Sequence, residues 1–408
     1  MERLQLRRLI VLAVLTLVLA AVRPARADEP PPLILISIDG FRADYLQRGL
    51  SPNLSALADG GVRAERMVPS FPSITFPNHY TLATGLYPDH HGIIANAFED
   101  PTVSAAPFRM ASKEEGWWSG ALPIWISAER QGIRTGEMFW PGSEVAFGGT
   151  RPSFWLPYDK AMPETSRVDR LLGWLDLPPG ERPRFLTLYF EAVDTAGHNF
   201  GPASPEVGKA IATVDAAIGR LADGLRTRGI VANMVVVADH GMSEVPPDHI
   251  VTLDRLTDLA AAHVVFQGVV LGVDFAPSRA GAAARGSLLR PHGHLSCWDK
   301  AAVPARFHYG ASARVPAVVC LAERGWMVET SAQIDKYKTT PMRGEHGYDP
   351  DDPEMGALFI ASGPAFRRGL TIQPFPNVDV YPLVAQLLGV EPRLNDGRMA
   401  DLQPILVK

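Results

Sequence analysis

Hydrophobic positions along the chain gather into three runs that share one design: each is apolar throughout and ends in an acid. The segments are "PLILISIDG" (32–40), closing on Asp39; "FLTLYFEAVDTAGH" (185–198), closing on Asp194 with His198 four residues on; and "NMVVVADHG" (233–241), closing on Asp239-His240. A half-exposed strand alternates apolar and polar residues. A run apolar at every position instead predicts a parallel strand covered by helices on both sides. Between the second and third runs, "EVGKAIATVDAAIGRLADGLRTRG" (206–229) repeats its apolar residues at helical spacing and stops at Gly229. Strand, helix and strand make an α/β unit, and the acids fall at the carboxyl ends of parallel strands, where open α/β sheets place ligands.

A shorter helix is predicted in "PSITFPNHYTLATG" (72–85), starting near Thr75, with Pro77 in its first turn and Gly85 as its stop. Thr75 is either an N-cap or a reactive hydroxyl, and the local pattern allows both. Farther along, "RGEHGYDPDDPEM" (343–355) is a polar, Pro-rich loop carrying His346. Two stretches interrupt the strand pattern. The first, about 100–180, reads as part of a lid on the acid-bearing edge, with Trp117, Trp118, Trp125 and Trp140 as core or pocket wall. The second, about 245–340, reads as a further insertion.

The amino terminus changes the picture of where this fold resides. Arg3, Arg7 and Arg8 precede an apolar run over 9–22, followed by the small-x-small site Ala25-Arg26-Ala27. A membrane span needs about 20 apolar residues, so residues 1–27 are expected to be a cleaved export signal, with an uncleaved anchor as the alternative. The protein would then be periplasmic or secreted. The remaining 28–408 are expected to form a single catalytic domain, although length alone would permit more. A net charge of −5 supplies no basic field for nucleic acid or anionic membranes, and small molecules are the expected partners, with no obligate protein partner implied. Outside the cytosol the two cysteines, Cys297 and Cys320, are free to pair; two separate buried thiols are the alternative.

One acid after an apolar run is commonly a helix cap or turn residue. Three such ends, two of them with a nearby histidine, crowd negative charge at one sheet edge and need positive charge among them, which metal ions supply. Asp and His without thiolates suit Zn²⁺ or a similar borderline ion better than Ca²⁺ or Mg²⁺, which take oxygen donors. His346, from a distant loop, makes sense as a ligand beside those segments.

Taken together, "LILISIDGFRADYL", "PSFPSITFPNHYTLATGLYPDHHGI", "FWPGSE", "LYFEAVDTAGHNFGP", "VVVADHGM", "RGEHGYD" and "NVDVYPLVAQLLG" resemble the nucleotide pyrophosphatase/phosphodiesterase family of the alkaline phosphatase superfamily. The likeness runs through nearly the whole chain after residue 28. It is nearest to compact bacterial members made of the catalytic domain alone, without the cysteine-rich and nuclease-like modules of animal ectoenzymes. The resemblance implies an alkaline-phosphatase-like α/β fold with a mostly parallel central sheet, helices on both faces and inserted lid segments. It also implies two zinc ions, one held by Asp194, His198 and His346, the other by Asp39, Asp239 and His240 with a contact to the Thr75 oxygen. Asn96 would stabilise a phosphate oxygen, Phe76 and Tyr158 would stack a nucleotide base, and Tyr189 would be a further pocket tyrosine.

The chemistry expected of such a site is hydrolysis of phosphodiester and pyrophosphate bonds, with Thr75 as nucleophile and a threonyl-phosphate ester as intermediate. A sulfatase would need Arg where Ile74 stands. A zinc phosphomonoesterase with a threonine nucleophile, or a choline-lipid phosphodiesterase with an aromatic cage, would keep the same ligands. A catalytically dead binding protein would not need the full set. Other histidines invite a blander reading: His90-His91 as a helix exit, His292-Gly293-His294 as surface structure. Asp379 is expected to cap a helix.

Overall fold

In the computed structural model, residues 30–337 and 342–407 are described; the expected leader at 1–27 lies outside them. The main sheet is built from Leu33–Ile38 (β1), Val62–Ala64 (β2), Thr135–Met138 (β3), Phe154–Trp155 (β4), Phe185–Phe190 (β5), Asn233–Val237 (β6), Phe359–Ser362 (β7) and Leu370–Ile372 (β8). Their order across the sheet is β8-β2-β7-β6-β1-β5-β3-β4. β1 pairs in parallel with β5 and β6, and β3 with β4 and β5. Only β7 runs against its neighbours β6 and β2. The three apolar runs of the sequence are thus β1, β5 and β6, side by side at the centre. Every residue of β1 and β5 is buried. Successive side chains point to opposite faces, so both faces are covered.

The covering helices include Pro52–Asp59 (α1), Thr75–Thr84 (α2), Glu164–Leu175 (α3), Ala192–Phe200 (α4), Pro205–Thr227 (α5) and Val380–Leu388 (α6). α5 matches the helix expected at 206–229. Its start is fixed by Ser204, whose hydroxyl accepts from Val207 N at 3.3 Å, followed by Pro205. α1, α3 and α4 pack against α5, and α2 packs against α6.

The stretch at about 100–180 is not only a lid. It supplies β3, β4 and α3, and β3 pairs directly with β5. The sequence "TGEM" hid this strand because its glycine and glutamate break any apolar pattern. Trp118 and Trp140 from this region do line the main cavity, while Trp117 and Trp125 are fully buried in the core. Within 245–340 lies a separate four-stranded antiparallel sheet, formed by Ala262–Phe266, Val270–Phe275, Leu295–Asp299 and Val318–Ala322. It carries a hydrophobic cluster of its own around Leu253, Leu271, Val273 and Leu288. Cys297 and Cys320 face each other across paired strands and form a disulfide.

Candidate active site

Register does the positioning. Ile38 pairs with Phe190 and Ser37 with Val237, so the three central strands leave the sheet level with one another. Asp39, Asp239 and the first turn of α4, with Asp194, therefore meet at one edge. Gly40 permits the approach: its φ of +66° strains any side chain, and a Cβ there would meet Asp194 Cα and Cβ at 3.0 Å. Its N–H donates to Asp239 Oδ1 at 3.2 Å.

Three histidines face these acids, and all are held in the same way. His198 Nδ1 lies 2.9 Å from Gly344 O, His346 Nδ1 3.0 Å from Ser73 O, and His240 Nδ1 2.9 Å from Gly241 O. A carbonyl only accepts, so each Nδ1 carries a proton, and in the neutral ring each Nε2 turns a lone pair inward. His198 Nε2 and His346 Nε2 approach to 3.2 Å and lie 3.4 and 3.6 Å from Asp194 Oδ1. His240 Nε2 is 2.9 Å from Asp239 Oδ2 and 3.5 Å from Asp39 Oδ1. Those three carboxylate oxygens are buried and have no hydrogen-bond partner among the described residues. Lone pairs facing lone pairs in a buried space are the signature of donors arranged for a cation.

The protonation equilibria of the protein groups carry the same strain. Burial, then repulsion from Asp239 and Asp194, pushes Asp39 well above the usual carboxylate range. Burial would also raise Asp239, but His240 and His79 outweigh it and hold that carboxyl low. Burial pulls His198 down, yet Asp194 and Glu345 raise it to about 9. His346 is pushed far below its ordinary value by burial and by His240 and His198 beside it.

Asp194, His198 and His346 form one group whose donor atoms lie within 4.8 Å of one another. The second expected set is divided: Asp39 groups with Asp194 and His240, and Asp39 with His79 and Asp239. His79 is a residue that sequence reasoning missed. Its Nδ1 donates to Thr75 O at 2.9 Å, with Asp239 Oδ2 at 3.4 Å, and its Nε2 accepts from the Ser37 hydroxyl at 2.8 Å. Both nitrogens are thus engaged, which leaves Asp39, Asp239 and His240 as the open donors of that side. The signal was there in the sequence: His79 stands four residues after Thr75, on the same face of α2.

Thr75 is the first residue of α2, behind Ile74 in extended conformation, and no side chain caps the helix. Its hydroxyl is free of the N-cap role and lies 3.3 Å from His240 Nε2. Asn78 secures the helix start instead, donating to Pro72 O and Ile74 O at 2.9 Å and accepting from Ser70 N at 2.8 Å.

Beside this cluster opens a cavity of about 670 Å³ that reaches Thr75, Phe76, Asn96, Tyr158 and Tyr189. Asn96 Oδ1 accepts from Phe76 N at 2.9 Å, which leaves its NH₂ to donate elsewhere. Tyr189 commits its hydroxyl to Asp39 Oδ2 at 2.6 Å, so it braces a candidate ligand as well as lining the wall. Tyr158 is 44% exposed, with its ring against Phe139. Beneath them Arg167, which is buried, forks onto Glu191 at 2.6 and 2.8 Å and onto Tyr189 O at 2.9 Å, a pair the sequence pattern did not reveal.

The remaining candidates lie elsewhere. His91 is buried against Thr81, and burial lowers its imidazole to about 3. His90 pairs with Asp396, and His294 with Glu323, both exposed. Asp379 precedes α6 but caps nothing with its side chain; its Oδ1 accepts from Arg398 N at 2.7 Å. The tighter bond to a distant backbone N–H replaces the expected cap.

Fold and site together define an alkaline-phosphatase-like α/β protein. The chain belongs to the type I phosphodiesterase / nucleotide pyrophosphatase family, enzymes of phosphodiester and pyrophosphate bonds, whose profile matches residues 33–349. It is similar to ectonucleotide pyrophosphatase/phosphodiesterase family member 3 of Bos taurus, 38% identical over 393 residues, covering 92% of this chain but 44% of that protein. An uncharacterized pyrophosphatase/phosphodiesterase of Schizosaccharomyces pombe is 38% identical over 391 residues, covering 91% of this chain and 80% of its own. Among solved structures, murine ectonucleotide pyrophosphatase/phosphodiesterase 5 superposes with a TM-score of 0.87 at 31% identity, covering 92% of this chain and all of that one. The same murine protein is also known as an inactive threonine-to-alanine variant in complex with AMP.

Proposed function

We propose that this protein hydrolyses nucleotide phosphodiester and pyrophosphate bonds, releasing a nucleoside 5′-monophosphate, with Thr75 as nucleophile. The observation that carries the reading is the uncapped Thr75 hydroxyl, set 3.3 Å from His240 Nε2 at the start of a helix and beside unpartnered carboxylate oxygens. Asp194, His198 and His346 would hold one zinc ion, and Asp39, Asp239 and His240 the other; nitrogen and oxygen donors without sulfur suit that metal. Bound there, zinc supplies positive charge against phosphoryl oxygens and acidifies neighbouring hydroxyls. The Thr75 oxygen releases its proton to solvent and forms a bond to phosphorus as the bond to the leaving oxygen breaks, and the leaving oxygen departs as an anion or takes a proton from solvent. Water then cleaves the threonyl-phosphate ester and restores the hydroxyl. Asn96 donates its amide to a phosphoryl oxygen, and the N-terminus of α2 adds its partial positive charge. Phe76 and Tyr158 hold the base, and the Tyr189 hydroxyl and the Gly40 N–H keep Asp39 and Asp239 in place.

The AMP complex of a murine relative inactivated at a threonine supports both the ligand class and the nucleophile. Residues 28–408 are taken as one catalytic domain exported by the 1–27 leader. Among the described residues no helix is long and apolar enough to cross a membrane. The test is product identity together with Thr75→Ala. ATP should yield AMP and pyrophosphate, and Thr75→Ala should lower kcat by about 10³-fold or more while metal content stays unchanged. Release of orthophosphate, or faster turnover of monoesters than diesters, would replace this reading with that of a phosphomonoesterase.

A further inference from the structure

A second cavity, of about 340 Å³, adjoins the first, and the two share Asn96, His198, Met342 and His346. Thr75, Phe76 and Tyr158 line only the first; Phe266, Gln267, Glu329, Tyr337 and Glu345 line only the second. Its position relative to the chemistry follows from Thr75. The Thr75 oxygen sits against His240, whereas the second cavity borders His198 and His346. In-line displacement sends the leaving group away from the nucleophile, hence past His198 and His346, the residues at which the two cavities meet.

The charged wall of the cavity is acidic, and among the described residues no lysine or arginine lines it. Glu329 is only 2% exposed. Its Oε1 accepts from the Tyr337 hydroxyl at 2.9 Å, while its Oε2 is buried with no hydrogen-bond partner among the described residues. Glu345 stands nearby, with Oε1 3.6 Å from His198 Nδ1. A buried acceptor without a donor costs stability that a ligand hydroxyl would restore. Phe266, Val269, Met327 and Met342 supply an apolar surface for the rest of such a ligand.

We propose that this cavity is the leaving-group subsite, and that Glu329 favours an uncharged, hydroxyl-bearing leaving alcohol, of nucleoside or sugar type, over polyanionic pyrophosphate. The inference rests on the nucleotidyl hydrolysis proposed above and specifies what departs from it. A leaving ribose offers hydroxyl donors to Glu329 Oε2 and a face to Phe266. Pyrophosphate instead brings several negative charges beside two carboxyl groups, which offsets part of the attraction of the zinc that His198 and His346 would hold.

The test compares three substrates that share a 5′-nucleotidyl group, using the zinc-loaded full chain. ATP leaves as pyrophosphate, adenylyl-(3′→5′)-adenosine leaves as a nucleoside, and the p-nitrophenyl ester of a nucleoside 5′-phosphate is the reference without polyanion or ribose. Glu329→Gln should raise kcat/KM for ATP about threefold to tenfold relative to the aryl ester, and lower that for the dinucleoside monophosphate by about threefold. Calorimetric titration of the Thr75→Ala holoenzyme reads binding without turnover. There the dinucleoside monophosphate should bind more tightly than ATP, and adding Glu329→Gln should narrow the gap at least threefold. An unchanged ratio between ATP and the dinucleoside, within twofold in both assays, overturns the subsite while nucleotide hydrolysis stands. Failure of the wild type to cleave any of the three would remove the underlying reading, and the subsite with it.

Discussion

The three central strands and the inserted antiparallel sheet divide the work of this molecule differently. β1, β5 and β6 are locked by parallel ladders, and four of the six proposed ligands follow their ends within four residues, with His198 one helical turn beyond Asp194. The insertion at about 245–340 keeps a hydrophobic cluster of its own, is closed by Cys297–Cys320, and reaches the site with cavity wall from Phe266 to Val270 and with Glu329. Donor atoms for a metal must be right to within tenths of an ångström, which ladder register provides. A wall that sorts leaving groups needs only shape and charge, and an appended sheet provides those. On the proposals above, the chemistry falls to the first region and the choice of leaving group to the second.

The largest effect should come from breaking the central edge. Removing the His198 or Asp194 side chain (His198→Ala, Asp194→Ala) should take metal content from two ions per chain to one by elemental analysis, and lower hydrolysis of every substrate by about 10³-fold or more. Retained circular dichroism would confirm that the sheet survives. One metal per chain in the fully active wild type would contradict the division into two ligand sets.

Phe76→Ala tests the wall of the first cavity. Base stacking on aromatics contributes about 1–3 kcal/mol, so nucleotide hydrolysis should fall roughly tenfold to a hundredfold. A small aryl phosphodiester without a base should lose much less. Equal losses would mean that Phe76 supports Thr75 and not the base.

Cutting the disulfide probes the second region alone. Cys297→Ser with Cys320→Ser should destabilise the inserted sheet by roughly 3 kcal/mol in the chain-entropy picture. Faster amide exchange should be confined to 262–322, and turnover of the small aryl ester should stay within twofold at 25 °C. Loss of that activity would show that the insertion supports the cluster as well as the wall.

The smallest effect concerns Glu137 on β3, fully buried, whose Oε2 accepts from the Thr187 hydroxyl. Burial raises its carboxyl from an ordinary 4.5 to about 8. The folded state therefore keeps a proton that the unfolded chain releases, so stability falls as pH rises from about 4.5 to about 8 and then levels off. Glu137→Gln removes this dependence. Between pH 6 and pH 8 it should gain on the wild type by about 2 kcal/mol in denaturant unfolding. A constant difference over that range would mean that Glu137 is ionised in the fold.

The central strands were legible because burial on both faces leaves an unbroken apolar run, and their terminal acids stood out against it. β3 was not, since "TGEM" fits a sheet only through its pairing with β5. Thr75 was legible as a helix start but ambiguous in role, and the placement of Ile74 outside the helix resolved the hydroxyl's freedom. His346 stood out only beside the three acid-ended strands, and its place in one ligand set came through family resemblance, because no local pattern links a loop to strands a hundred residues away. Arg167 and Glu329 escaped notice because their importance lies in what the fold gathers around them, which leaves no periodic trace. His79 was different, since its four-residue spacing from Thr75 was legible in the sequence.

The level exit of β1, β5 and β6 makes the sheet a ruler graduated in single residues. Strands advance about 3.3 Å per residue and turn each successive side chain to the other side. Deleting one residue within β1 would shift Asp39 by a full graduation and point its neighbour inward, so no nearly correct version of the cluster lies one step away. Insertions and deletions along the central strands should act as all-or-none changes, whereas those in the inserted sheet should tune the outcome by degrees. The spacing of the reactive groups is a counted quantity, written in residues before any atom of substrate arrives.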